Sequence, residues 1–185
     1  MAWLRRARVR DDSGAAALEF ALVSFVLFPL VFGMVDYGLF FTDSLGARDG
    51  VRIAARQGVV EDFPSSCPDI DGSKSAGNDD LLGNLACAAV DQTGAIGGTT
   101  YARVSTARPW ERGNDLQVCV AVIGEGVTGL VPMPNDRAVR TKLVMRIEQE
   151  DKASLHTGSG SSLVGEANST NTPNTDPSIW SGWCA

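Results

Sequence analysis

Glu19 is the side chain in this sequence whose position most needs a chemical reason. Ser13 to Leu18 before it and Phe20 to Val35 after it carry no charge, so a single carboxylate sits just inside an apolar run. Holding a charge in hydrocarbon costs on the order of 2.5 kcal/mol or more, so an ionisable residue at that place is a functional candidate. The other candidates are weaker. His156 is the one histidine and lies in a polar stretch with no helix or strand to hold it. Asp69, Asp71, Asp79 and Asp80 surround Gly72 and Gly77, faintly like a calcium loop, but the bidentate Glu of an EF-hand is missing. Cys67, Cys87, Cys119 and Cys184 form no C-x-x-C pair, so no zinc site is expected. Hydrolytic or metal chemistry needs a positioned base, nucleophile or carboxylate cluster. The expectation is therefore no enzyme, no catalytic residue, no metal and no cofactor.

The element that must position Glu19 is the apolar run itself. Ala15 to Val35 is 21 residues, about 31 Å as a helix against a hydrocarbon core of about 30 Å. Arg5, Arg6, Arg8 and Arg10 precede it, and Asp36 and Asp43 follow. The positive-inside rule puts the N-terminus in the cytoplasm and everything after about residue 42 across the membrane. A plain signal anchor would read the same way. A cleaved secretory signal reads less well, because Leu45-Gly46-Ala47 puts a bulky residue where a small one is wanted. The pair Arg5-Arg6 lacks the surroundings of a twin-arginine signal.

The small residue here comes before the apolar run, with Glu five positions on. That order resembles a class III prepilin leader, and Glu19-Phe20 resembles the Glu-aromatic pair of the Flp/Tad pilus system. The nearest resemblance is to the TadE-like minor pilin (pseudopilin) family. It is carried by Ser13-Gly14-Ala15-Ala16-Ala17-Leu18-Glu19-Phe20, Pro29, Gly33 and the Ala-, Arg- and Gly-rich stretch Gly46 to Arg56. It covers roughly residues 10–57 and is only architectural beyond them. The resemblance implies that a membrane aspartic prepilin peptidase cuts Gly14–Ala15. It also implies partners: other Tad/Flp pilins, a TadE- or TadF-like pseudopilin and the inner-membrane assembly platform.

The physics of that junction stands beside the family. Cutting after Gly14 removes all four leader arginines, so the segment loses its cytoplasmic anchor and can leave the bilayer. It also creates an ammonium at Ala15, one helical turn from Glu19. In a filament, Glu19 can pair with the Ala15 ammonium of a neighbouring subunit, which fixes register more than it adds stability. The plain alternative is a carboxylate that snorkels to the near interface.

Formal net charge is −6 over 185 residues. The four leader arginines against Asp11 and Asp12 give the leader +2, leaving −8 on the remainder. An acidic exported part argues against nucleic-acid binding. The length suits one membrane helix and one modest domain.

In chain order, residues 1–14 read as leader and residues 15–57 as one long helix, transmembrane over about 15–41. Pro29 removes a backbone donor within it. From Thr42 the pattern is amphipathic: Asp49, Arg52 and Arg56 mark a charged face, and Leu45, Ala47, Val51, Ala54 and Ala55 a small apolar one. Gly46 and Gly50 have the G-x-x-x-G spacing that permits close helix packing, and Gly58 reads as the stop. Glu61 to Asn78 reads as loop. Asn78 or Asp79 caps a second helix running to about Asp91. Then the period falls to two: Thr100 to Thr106, Leu116 to Ile123 and Ala138 to Gln149 read as strands. The fold class is α+β, a long helix followed by a head (58–150) with a second helix near a three-stranded antiparallel meander. Residues 151–177 are Ser-, Thr-, Asn- and Gly-rich, with too little apolar area to order themselves. Ile179, Trp180, Trp183 and Cys184 then suggest a docked end to this 151–185 tail.

All four cysteines fall on the exported side, where disulfides form. Four cysteines allow three connectivities. Cys67–Cys87 and Cys119–Cys184 are favoured, the first stapling the loop to the second helix and the second tying the tail to the central strand.

Two functions fit. One is a minor pilin, processed at Gly14–Ala15 and assembled through Glu19 and Phe20, serving priming, assembly or a tip. Its path is a single-pass cell membrane protein that then enters the pilus at the cell surface. The size of the head favours a minor over a major pilin. The other is an exported binding or adhesion domain that stays anchored in the membrane.

Overall fold

The computed structural model describes residues 13–64, 81–107, 110–124, 128, 132–149, 162–170 and 176–184. The elements run α1 (Ser13–Val59), α2 (Leu81–Thr93), β1 (Thr99–Ala107), β2 (Asp115–Ile123), β3 (Val139–Arg146) and β4 (Ser162–Asn168). A short 3₁₀ turn, Pro134–Arg137, leads into β3, and another, Pro177–Ile179, follows β4.

α1 is one helix of 47 residues with Pro29 inside it. Its two halves meet different surroundings. Residues 14–35 are almost wholly exposed, whereas Ala47, Val51, Ala54, Ala55 and Val59 are buried in the head. Of the small apolar face read from sequence, Leu45 departs: it is 61% exposed and lies on the opposite side. Gly58 does not stop the helix. It is buried, and a Cβ there would meet Leu116 and Leu85 side-chain carbons at 2.4 and 2.7 Å. The chain turns at Glu61 instead, with φ 58°. The Trp110 indole donates to the Glu61 carboxylate at 3.2 Å, and Phe63 meets Trp110 edge-to-face.

The close helix packing that Gly46 and Gly50 permit is used against α2. A Cβ on Gly46 would lie 2.1 Å from the Thr93 carbonyl oxygen, and one on Gly50 would lie 2.6 Å from that of Ala89. Small residues at four-residue spacing let the two backbones approach where larger ones would hold them apart. The expected cap of α2 at Asn78 or Asp79 lies outside the described residues.

The sheet is antiparallel throughout, in the order β3-β2-β1-β4. Its inner face is built by alternation: Ala102 and Val104 on β1, with Leu116, Val118, Val120 and Val122 on β2, are buried against the helices. The expected three strands are therefore four, the addition being β4 inside the low-complexity stretch. β4 hid because its alternation is broken at the middle. Leu163 and Ala167 pack on the inner core, but the inward position between them is Gly165. A Cβ there would lie 2.2 Å from the Leu82 carbonyl carbon, so α2 leaves room only for glycine. On the outer face Glu166 pairs with Arg103 across the β4–β1 register at 3.5 Å.

The tail closes over the outer face. Cys184 is bonded to Cys119 on β2, as favoured from sequence. Ile179 and Trp180 are buried with Cys119 and Ala121, flanked by Tyr101, Ile123 and Trp183. Asp176 starts this turn: the Ser178 hydroxyl and amide both bond its carboxylate and hold its pKa below the usual value.

Candidate functional site

Gly14, Ala15, Glu19 and Phe20 are all exposed at the start of α1, clear of the head. Phe20 is 71% exposed, and Leu22, Val23, Phe25, Val26 and Leu27 continue the apolar surface all round the helix. A helix apolar on every side is one that another apolar medium must cover. From Gly14 to Val35 it extends about 33 Å, and α1 is long and apolar enough to cross a membrane. It is the one such helix among the described residues. Among the described residues nothing in the head approaches Glu19, and it makes no ion pair there.

The head takes hold of the helix one position after Val35. Asp36 is fully buried, and the Thr128 hydroxyl donates to its carboxylate. Next to it, the Tyr37 hydroxyl donates to the Pro132 carbonyl at 3.3 Å. Two turns up, Asp43 is buried beside Arg137, Oδ2 to Nη2 3.8 Å, with both side chains nearly sealed from solvent. The other Asp43 oxygen accepts the Ile96 amide at 2.9 Å. Thr128, Pro132 and Arg137 all belong to the β2–β3 connection, so one segment grips α1 at two heights. These residues form a neck between the bare helix and the head.

Sequence reading missed the neck, although a signal was present. Asp36 and Asp43 are seven apart, two helical turns, and share a face with Ala47, Gly50 and Ala54. Carboxylates on the face that later turns inward ask for buried partners. Arg137, in a Pro-rich connection, could not be matched to them from spacing alone.

The remaining predicted sites divide by what the structure describes. Cys119 and Cys184 are joined. Cys87 is buried in α2 and disulfide-bonded; Cys67 lies outside the described residues, as do His156 and the aspartates 69, 71, 79 and 80. Among the described residues no group of three His, Cys, Asp or Glu side chains is placed to hold a metal ion.

No curated protein and no solved structure matches the chain. A family profile does match, over residues 14–56, from the glycine that opens the exposed helix to the turns of α1 held by the head. Over that helix, the stretch that carries Glu19, Phe20 and both neck aspartates, the chain is similar to the TadE-like protein family.

Proposed function

We propose that this protein is a minor pilin (pseudopilin) of a Tad/Flp-type pilus, cut between Gly14 and Ala15 by a prepilin peptidase and assembled through its N-terminal helix. The observation that carries this reading is the bare half of α1: a membrane-length apolar helix with one exposed carboxylate, held by the head only from Asp36 onward. In the bilayer it is a single-pass anchor, with the basic leader in the cytoplasm and the head outside. Removal of the leader takes away the charges that hold it there. The same surface then serves as the packing surface of a fibre, since a helix that lipid can cover on all sides can be covered by other helices. Glu19 and Phe20 sit at its base, where a carboxylate fixes the axial register of neighbouring subunits. The partners of this reading are the peptidase, the other pilins, a TadE- or TadF-like pseudopilin and the inner-membrane assembly platform. The head, with its own core and disulfide, is the part presented to the outside.

Mass spectrometry of the mature N-terminus from producing cells tests the reading. A chain that starts at Ala15 supports it. A chain that keeps Arg5, Arg6, Arg8 and Arg10 overturns it in favour of a permanently anchored exported domain.

A further inference from the structure

We propose that the exposed face of α1 within the head is a seat for the bare helix of a second copy of this chain, and that Arg48 and Arg52 receive Glu19 of that copy. The inference rests on the assembly reading above and gives its carboxylate an arginine row as partner in place of the Ala15 ammonium.

The seat is defined by what α1 leaves uncovered. Asp43, Ala47, Gly50, Val51, Ala54 and Ala55 face the core. The opposite face keeps Leu45 61% exposed and Ile53 36%, and just past the end of α1 Val60 is 50% exposed. Between them Arg48, Arg52 and Arg56 follow at four-residue spacing, and all three are exposed. A head that faced only water would put polar residues at Leu45 and Val60. The stripe continues without a break into Met34 and the bare helix below. It is thus an extension of the assembly surface rather than a separate patch.

Its charge selects the occupant. Asp49 is the one carboxylate in the stripe. It meets Arg52 at 4.0 Å with both side chains 68% exposed, which is worth little in water. Arg48 and Arg56 have no carboxylate within ion-pair distance among the described residues. The seat is apolar and cationic on a chain whose formal net charge is −6. Its complement is an apolar helix with an isolated carboxylate, and residues 14–35 are such a helix, with Glu19 followed by Phe20, Leu22 and Val23. An arginine row also suits this use, because a guanidinium desolvates more readily than an ammonium.

The geometry sets the stagger. Glu19 is 29 positions from Arg48 and 33 from Arg52, which at about 1.5 Å per residue is about 44 to 50 Å. At the smaller stagger residues 15–35 of the second copy lie level with residues 44–64 of the first, alongside Leu45, Ile53 and Val60. A second copy displaced by that distance along the axis, in the same direction, brings its carboxylate level with the arginines. The two copies use different faces, so the contact repeats instead of closing. Two copies at one depth in a bilayer cannot make it; one must have moved outward.

The test uses full-length chains with two epitope tags, co-expressed, processed and solubilised in detergent. The variants are Glu19→Arg and the double change Arg48→Glu with Arg52→Glu. Wild-type copies should copurify. Each variant paired with itself should lose at least tenfold of that signal, and the two variants mixed should recover to within twofold of wild type. Protection of Cys119 and Cys184 from thiol labelling confirms that their disulfide has formed, resistance of the head to limited proteolysis confirms that it is folded, and the mass of the N-terminus confirms cleavage. The stripe variant leaves the cleavage site unchanged, so it stays informative if Glu19→Arg impairs processing. The inference is overturned if wild-type copies do not copurify, or if the stripe variant copurifies as wild type does. Sheared pili separate the two readings. Stripe-variant protein at wild-type level there, with Glu19→Arg absent, removes this contact and leaves the assembly reading standing. Absence of wild-type protein from the fibres removes both.

Discussion

Asp43 and Arg137 face one another inside the neck, 3.8 Å apart and almost sealed from water. One comes from the long helix and the other from the connection that leads into β3. Their contact therefore ties α1, just above its bare half, to the segment that leads into β3. A buried ion pair adds little compared with well-packed apolar residues, but removing one partner strands the other charge.

Asp43→Asn should accordingly lower head stability by about 3–5 kcal/mol. Arg137→Met combined with Asp43→Leu should cost clearly less, since neither charge of the pair remains to be buried without the other. Urea unfolding in detergent, followed by the fluorescence of buried Trp110, measures both. Equal losses in the single and the double variant would show that packing, not charge, holds the neck.

Glu19→Gln removes the charge and keeps the shape. Membrane insertion and cleavage after Gly14 should proceed largely as before, because neither depends on that carboxylate being ionised. Incorporation into pili should be lost. Immunoblots of membrane and sheared-pilus fractions would read this, and an unchanged pilus fraction would remove Glu19 from the assembly contact.

Gly165→Val places a branched side chain where the Leu82 carbonyl carbon is 2.2 Å from the position of its Cβ. Overpacking of this kind costs about 1–3 kcal/mol, and more when backbone is the obstacle. β4 should separate from β1, seen as faster hydrogen exchange at Ala167 and Asn168. Val164→Thr, on the exposed side of the same strand, is the control and should change little.

Cys119→Ser with Cys184→Ser should cost about 2–4 kcal/mol and uncover Trp180, which is now buried against β2. A red shift of tryptophan emission before global unfolding would mark release of the tail. Emission that stays at the wild-type wavelength would mean that Ile179 and Trp180 dock without the bond.

The sequence was legible where one residue type answered to one force. Phe20 to Val35 is apolar on all sides, and its need for an apolar cover follows from that alone. Leu116 to Ile123 alternates and forms a strand. Legibility failed where two backbones meet. Gly165 reads as a gap in a polar stretch because its reason lies on α2, and Gly58 reads as a stop because Leu85 and Leu116, which it accommodates, are far away in sequence. Asp36 and Asp43 look like the end of an apolar run until Thr128 and Arg137 are brought to them. Leu45 joined the wrong face for the converse reason: its cover is not supplied within the described residues.

The bond between residues 119 and 184 also dictates when the molecule can be completed. Until residues 179–184 have been made, β2 carries an unmated sulfhydryl at Cys119 and one naked surface. Both persist until Cys184 has been added and its thiol oxidised. A polypeptide cut short before that point keeps its reactive sulfur and can be recognised chemically as unfinished.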